Sequence, residues 1–268
     1  QVETIQTFEV GYKGTLIDKK LFVDANAYYN ISDNFLSPAI NIARPGVTVT
    51  QRGNQNMSDV IPGTPATGAT TVLTYVNFGN VNTWGVDVGI TYAPISKLNI
   101  VANYSYFGYS LNKGDLKNDG DRNGIVNDID LPINTPSHKA SIAFNGNFGK
   151  FFGSLFVRWV DAYDFFSGIN IAARSNSNLL VGGQPLTTNA RAGRTWNYGP
   201  LAGFVNVDLS LGYRFGKWVT LSGQVVNLFD AKVREFVASP FIGRLFSLEL
   251  KVNLPAINPI GGGGTKKK

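Results

Sequence analysis

Residues 84–106 read WGVDVGITYAPISKLNIVANYSY, and apolar and polar side chains alternate in both halves of this stretch. In the first half, for example, Asp87 stands between Val86 and Val88. Successive side chains of a β-strand point to opposite faces, so each half predicts a strand with one apolar and one polar face. The short, proline-containing connection at residues 94–97 predicts a turn, and the whole stretch therefore predicts a β-hairpin.

The same alternation occurs in seven other runs, so the sequence predicts nine strands and an all-β, antiparallel fold. The nine runs lie at residues 8–13, 21–30, 84–92, 98–106, 140–145, 154–159, 205–214, 220–225 and 246–254. Short turns at residues 18–20, 94–97, 149–150 and 216–217 alternate with long loops at residues 31–80, 111–136, 162–203 and 230–243. Short turns at one end and long loops at the other are typical of transmembrane β-barrels. A soluble β-sandwich also alternates, but it does not need long loops at one end only.

The composition agrees with a membrane barrel and excludes several other classes of protein. Charged residues make up 16% of the chain and aromatic residues 12%, and there is no cysteine and a single histidine, His138. Disulfides, thiolate metal sites and multi-histidine sites are therefore excluded. Half of the net charge of +6 comes from residues 266–268, which are all lysine, so the body of the chain does not predict nucleic-acid binding. No apolar run is long enough for a transmembrane helix.

Aromatic side chains cluster at both ends of the predicted strands, as the two interfacial belts of a membrane barrel require. The set beside the short turns is Tyr12, Tyr92, Phe151, Phe152, Tyr213, Phe215 and Trp218. The set toward the long loops is Tyr28, Tyr29, Tyr104, Tyr106, Tyr109, Trp159 and Phe165.

A count of nine strands predicts part of a larger barrel rather than a small closed one. Bacterial single-chain barrels have an even number of strands, and unpaired strand edges are not tolerated in lipid. The predicted interior face is also too polar for the filled core of a small barrel. Its charged residues are Glu9, Lys13, Asp24, Asp87, Arg158, Asp208, Arg214, Glu249 and Lys251. We therefore expect the first and last strands to pair with polypeptide outside these 268 residues.

Five motifs in order resemble the TonB-dependent outer-membrane receptors. They are FEVGYKG with ANAYY at residues 8–29, the hairpin at residues 80–106, PSHKA at 136–140, NLFD at 227–230 and GR at 243–244. Each motif alone is weak, but together they cover nearly the whole chain up to Leu254. The resemblance implies that residues 1–254 are the C-terminal part of a 22-stranded barrel whose plug and TonB-contacting segment lie elsewhere. The strand that ends at Leu254 lacks the usual final aromatic residue, and residues 255–268 are a Gly- and Lys-rich tail that we expect to be flexible.

The resemblance implies a location in the outer membrane of Gram-negative bacteria and an import function. The imported compound would be a bulky nutrient such as a siderophore, an oligosaccharide or a peptide, with energy drawn from the inner membrane. The implied partners are outer-membrane lipid, the remainder of the barrel and its plug, the TonB complex and a surface lipoprotein, and no nucleic acid. The alternative is a small complete barrel that acts as a passive pore or a secretion translocator. We expect no enzymatic activity, and the single histidine also argues against a membrane protease.

Residues 119–130, DGDRNGIVNDID, form the most specific candidate site, a calcium loop within a long connection. The candidate ligands are the side chains of Asp119, Asp121, Asn123 and Asp130 at loop positions 1, 3, 5 and 12, and the carbonyl of Ile125 at position 7. Gly124 at position 6 permits the sharp turn that such a loop needs. No helices flank the loop, so an EF-hand domain is not predicted, and the alternative is a solvated acidic loop. We expect His138 and the NLFD motif to be structural.

Overall fold

A computed structural model describes residues 1–37, 40–41, 50–52, 54–60, 73–120, 124–131, 133–163, 165, 180–181, 184–185, 187–188, 191–192, 201–236 and 239–254. The chain folds into one antiparallel sheet of nine long strands, which confirms the predicted fold class. The strands are β1 (Thr4–Leu16), β2 (Leu21–Asp33), β3 (Val81–Ile95), β4 (Leu98–Leu111), β5 (His138–Phe148), β6 (Phe151–Val160), β7 (Phe204–Phe215), β8 (Val219–Val226) and β9 (Leu245–Val252). Each strand pairs with its neighbours in sequence order. The predicted tail lies outside the described residues.

The register of the sheet places the predicted apolar and polar sets on opposite faces. Directly opposite residues on antiparallel strands share a face. One row of opposite residues runs through Ala27, Val86, Tyr106 and His138, and the adjacent row runs through Asn26, Asp87, Ser105 and Lys139. All nine charged residues predicted for the interior lie on the second face. We call the face with the first row the apolar face and the face with the second row the polar face.

Three aromatic residues that the sequence predicts for the interfacial belts point to the other side. Tyr28, Tyr109 and Phe152 lie on the polar face, opposite Gly85, Thr83 and Gly212 respectively. Their positions near the strand ends matched the belts, but the parity of a strand decides which face a side chain occupies. These three side chains therefore cannot contribute to a lipid-facing belt.

The sheet remains open at both sides. In the described part of the chain β1 pairs only with β2, and β9 pairs only with β8. The outer edges of β1 and β9 therefore have no partner strand among the described residues. The predicted pairing with other polypeptide would take place at these two edges.

Several strands extend beyond the runs of alternating side chains. β1 begins at Thr4 instead of Phe8, and β3 begins at Val81 instead of Trp84. Pro94 belongs to the end of β3, not to a turn, and the register shifts between Tyr92 and Ile95. Proline has no N–H to donate to a neighbouring strand, so within a sheet it is found at irregularities such as this register shift.

Short elements occupy parts of the long loops. They are a one-turn helix, α1 (Met57–Val60), two 3₁₀ turns (Leu116–Asn118 and Asp128–Asp130) and four ribbons of two-residue strands that pair separately from the main sheet. No helix among the described residues has the length and the apolar character to cross a membrane.

A small hydrophobic core lies at the long-loop end of the sheet. Its buried members are Phe78, Val81, Leu111, Val126 and Leu131. Val81 and Leu111 are opposite residues on the polar face, so the segments before β3 and after β4 fold across that face. The described parts of these two segments therefore cover the polar face at this end of the sheet.

Candidate functional site

The polar face of β6 and β7, together with the segment that follows β8, encloses a cleft of about 330 Å³. The strands contribute Arg158, Asn206 and Asp208, and the following segment contributes Asn227 and Glu235. The cleft therefore combines one guanidinium, two carboxylates and two amides with apolar neighbours. Concave sites that mix apolar walls with a few polar groups are suited to binding a solute.

An ion pair fastens the segment after β8 to the wall of the sheet. The Arg158 guanidinium faces both carboxylate oxygens of Glu235, with Nη1 donating to Oε2 at 3.4 Å and Nη2 contacting Oε1. The same guanidinium stacks 5.0 Å from the ring centre of Phe204. Both charged side chains are about one-third exposed, so the pair is less screened by water than one at a fully open surface.

Tyr163, which follows β6, makes a second contact with this segment. Its Oη donates to the backbone oxygen of Glu235 at 3.0 Å. Burial, and secondarily the nearby Glu235 carboxylate, raise the pKa of the Tyr163 phenol. The phenol therefore stays protonated and remains a hydrogen-bond donor at neutral pH.

The corner after β8 is built around Asn227, the first residue of the NLFD motif. Its Nδ2 donates to the carbonyls of Ala231 (2.8 Å) and Ile242 (3.0 Å), and its Oδ1 accepts from the Ala231 amide (2.8 Å). The Asn227 amide donates to Asp208 on β7 at 2.8 Å. Asn227 is 1% exposed and has a φ of +56°, a left-handed conformation that asparagine tolerates better than most residues. These contacts agree with the structural role that the sequence predicts for the motif.

A second buried amide holds the loop after β4 against the segment before β3. Asn118 Oδ1 accepts from the Gly79 amide at 2.8 Å, and its Nδ2 donates to the carbonyls of Asn80 and Asn112 at 3.2 and 2.9 Å. Asn118 is fully buried. The candidate calcium loop begins at the next residue, so it starts from a fixed point in the fold.

Three of the five candidate calcium ligands lie in the described part of the chain. The Asp119 carboxylate accepts from the Gly124 amide at 2.7 Å, and Gly124 has a φ of +91°. The Asp130 carboxylate is buried and accepts from the Asn127 amide at 2.7 Å. Asp121 and Asn123 lie outside the described residues. Among the residues that are described, no group of three or more acidic or histidine side chains could hold a metal ion. Calcium binding therefore stays a prediction.

His138 lies on the apolar face among aromatic side chains. Its Nδ1 is 2.8 Å from the Tyr104 hydroxyl, and its ring lies 5.0 Å from the Tyr106 ring and 6.4 Å from that of Trp159. These are packing contacts of a belt in which polar tips and apolar rings alternate. The structural role predicted for His138 agrees with this environment.

Two residues that organise the site had no signal in the sequence. Glu235 meets Arg158 across 77 residues, and Asn118 meets Gly79 across 39. Glu235 lies in an irregular loop and Asn118 ends a short 3₁₀ turn, and at such positions neither periodicity nor motif spacing predicts a partner. Only Arg158 gave a signal for the ion pair, because a charged side chain on the predicted interior face usually needs a counter-charge.

An antiparallel sheet with one apolar face, and with loop segments folded over its polar face, is typical of part of a transmembrane β-barrel. The family profile described as TonB dependent receptor-like, beta-barrel matches residues 2–228. The chain therefore belongs to the TonB-dependent receptor-like β-barrel family. This confirms the resemblance and the location in the outer membrane of Gram-negative bacteria, and proteins of this family are receptors and transporters rather than enzymes. A search of curated protein sequences found no significant match.

Solved structures of receptors share the fold. The copper transporter OprC is 17% identical (TM-score 0.53), and the ferric-catecholate import receptor Fiu from K12 E. coli is 15% identical (TM-score 0.55). The pyoverdine outer-membrane receptor FpvA from Pseudomonas aeruginosa PAO1, bound to pyoverdine, is 14% identical (TM-score 0.54). The matches cover 93%, 93% and 94% of this chain but 30%, 27% and 30% of those proteins. The chain thus spans under a third of their length.

Proposed function

We propose that this chain forms part of the wall and outer loops of a receptor that imports a bulky nutrient across the outer membrane with energy from the inner membrane. The observation that carries the proposal is that the described loop segments before β3, after β4 and after β8 fold across the polar face of the sheet. Such loops, tied down by Arg158, Asn118 and Asn227, present a structured polar surface where a passive pore would need an open lumen. A siderophore, an oligosaccharide or a peptide is the proposed class of cargo.

The rest of the receptor would supply what these residues lack. Backbone groups at a bare strand edge have no water to bond within hydrocarbon, so β1 and β9 need neighbouring strands. We propose that both edges pair with further strands of the same receptor barrel, with residues 1–254 as its C-terminal portion and residues 255–268 as a flexible tail. The plug, the TonB complex and a surface lipoprotein are the proposed protein partners.

Uptake by intact cells tests the import proposal. Cells that contain the full receptor are supplied with ferric siderophores, oligosaccharides or peptides, each carrying a radioactive or fluorescent label. Deleting the receptor gene and deleting TonB are each expected to abolish uptake of the same compound, because energised import needs both. The control is complementation of the receptor deletion with the full gene.

The passive-pore alternative makes the opposite prediction. A pore would continue to admit the compound without TonB and would conduct ions steadily when the full protein is inserted into a planar bilayer. Uptake that is lost with the receptor gene but unaffected by loss of TonB would contradict energised import.

We also propose that the loop at residues 119–130 binds Ca²⁺. Two observations support the proposal: the carboxylate at position 1 is hydrogen-bonded to the glycine amide at position 6, and that glycine has the left-handed φ of a sharp turn. The buried Asp130 at position 12 gives the loop a second fixed carboxylate. Six to eight oxygen ligands are needed, and the loop can supply them from side chains, a backbone carbonyl and water.

Calorimetric titration of the full receptor with Ca²⁺ tests this site. Wild-type receptor is expected to bind with a Kd on the order of 10⁻⁴–10⁻³ M, the range of extracellular modules, and Asp121→Ala should lose this binding event. Asp128→Ala is the matched control, because Asp128 is in the same loop but at a non-ligand position, paired with Lys113 at 3.3 Å. Equal titrations for wild type and Asp121→Ala, or equal losses in the two variants, would rule out a specific site.

A further inference from the structure

The apolar face carries an open groove of about 540 Å³ near the short turns, and its lining is almost entirely apolar. Its prominent side chains are Phe144, Phe148, Phe151, Leu211, Tyr213 and Leu248. Phe151 is 64% exposed and Leu248 is 78% exposed. On the outer face of a membrane barrel such side chains meet lipid, so the groove lies in the lipid-facing surface.

One recess of the groove lies at Gly223 on β8, directly opposite Leu211 on β7 and Leu248 on β9. A Cβ at Gly223 would lie 3.8 Å from the Leu248 side chain, so this position is open, whereas the Phe148 ring covers Gly146 and the Leu211 side chain covers Gly153. Leu211 is 61% exposed and Leu248 is 78% exposed, so the two side chains flank the recess. The recess can therefore take up part of one acyl chain.

Positive charge lies at the same end of the sheet. Lys150 is in the turn between β5 and β6, and Lys217 is in the turn between β7 and β8. Among the described residues, neither lysine has a carboxylate within 4 Å. Arg214 stiffens the first turn by donating to the Gly149 carbonyl at 2.8 Å and to Asn147 Oδ1 at 2.9 Å.

We propose that this groove binds a phospholipid with an anionic headgroup from the periplasmic leaflet. Part of one acyl chain lies in the recess, and Lys150 and Lys217 contact the headgroup phosphate. The short turns of membrane barrels lie on the periplasmic side, which places both lysines at the headgroup level of that leaflet. Two cations without protein counter-charges favour an anionic over a zwitterionic headgroup.

Native mass spectrometry of the full receptor tests the proposal with phosphatidylglycerol and phosphatidylethanolamine of identical acyl chains. Wild-type receptor is expected to retain phosphatidylglycerol preferentially. In the double variant Lys150→Gln/Lys217→Gln this preference should fall roughly 25-fold, because each lysine near anionic lipid contributes a factor of about 5. The double variant Lys19→Gln/Lys20→Gln is the matched control, since those lysines occupy the turn between β1 and β2, away from the groove.

A second variant tests the recess independently of charge. A Cβ at Gly223 would lie 3.8 Å from its nearest neighbour, so a side chain can begin there without a clash. Gly223→Leu adds a larger side chain to the recess and should reduce retention of both lipids. Gly11→Leu, on the polar face with its nearest neighbour at 3.6 Å, should leave lipid retention unchanged. The proposal is overturned if wild type retains both lipids equally, if the control lysines matter as much, or if Gly223→Leu alters oligomeric state and not lipid retention.

Discussion

Replacing Val88 with arginine is expected to destabilise the full receptor in a bilayer by roughly 2–4 kcal/mol, the penalty for arginine on the lipid face near the midplane of a membrane barrel. Val88 is at the middle of β3 and belongs to the apolar face, opposite Ala25 and Tyr104. The measurement is the free energy of unfolding by guanidinium of receptor reconstituted in lipid vesicles.

Asn103→Arg is the matched control for this effect. Asn103 is on the polar face one row away, opposite Gly89 and Ser141, so an arginine there meets water or polar groups at nearly the same depth. Its unfolding free energy is expected to stay close to that of wild type. Similar losses for the two variants would mean that the apolar face does not face lipid.

Replacing Asn227 with alanine is expected to destabilise the corner after β8 by about 3 kcal/mol. The substitution removes three part-buried hydrogen bonds of the Asn227 side chain, each worth about 0.5–1.5 kcal/mol net. Alanine also tolerates the left-handed φ poorly, which adds roughly 1–2 kcal/mol. Hydrogen exchange of the backbone amides at residues 231–244 of the full receptor measures the local free energy of opening.

Asn227→Gly separates these two contributions. Glycine loses the same side-chain hydrogen bonds but adopts a positive φ without strain. Asn227→Gly should therefore destabilise the corner less than Asn227→Ala does, by about 1 kcal/mol or more. If exchange at residues 231–244 is unchanged in both variants, the hydrogen bonds of Asn227 do not hold this segment.

Much of the barrel wall follows from the sequence because the side-chain period of a strand is two residues. Asp87 between Val86 and Val88 already separates the lipid side from the interior, and the paired register carries that separation across all nine strands. Aromatic residues near strand ends were harder to assign. Tyr28 and Phe152 lie near strand ends, as the belts require, but the alternation of side chains along the strand places them on the polar face.

The candidate site was only partly predictable. The twelve-residue spacing from Asp119 to Asp130 is a local signal, so it can be seen in the sequence, although calcium binding stays a prediction. The corner at Asn227 could be predicted as structural from its motif, but not the three partners of its side chain. Those partners lie up to 15 residues away in an irregular segment, where no periodic pattern exists.

The sequence by itself determined the strand count, the two faces of each strand and the alternation of short turns with long loops, because these depend on local periodicity and turn chemistry. Only the tertiary structure decided that the described loop segments fold across the polar face, that Arg158 meets Glu235 and that Asn118 joins two loops. These contacts link irregular segments far apart along the chain. They form because the sheet brings those segments together, and a local sequence pattern does not predict which distant segments will meet.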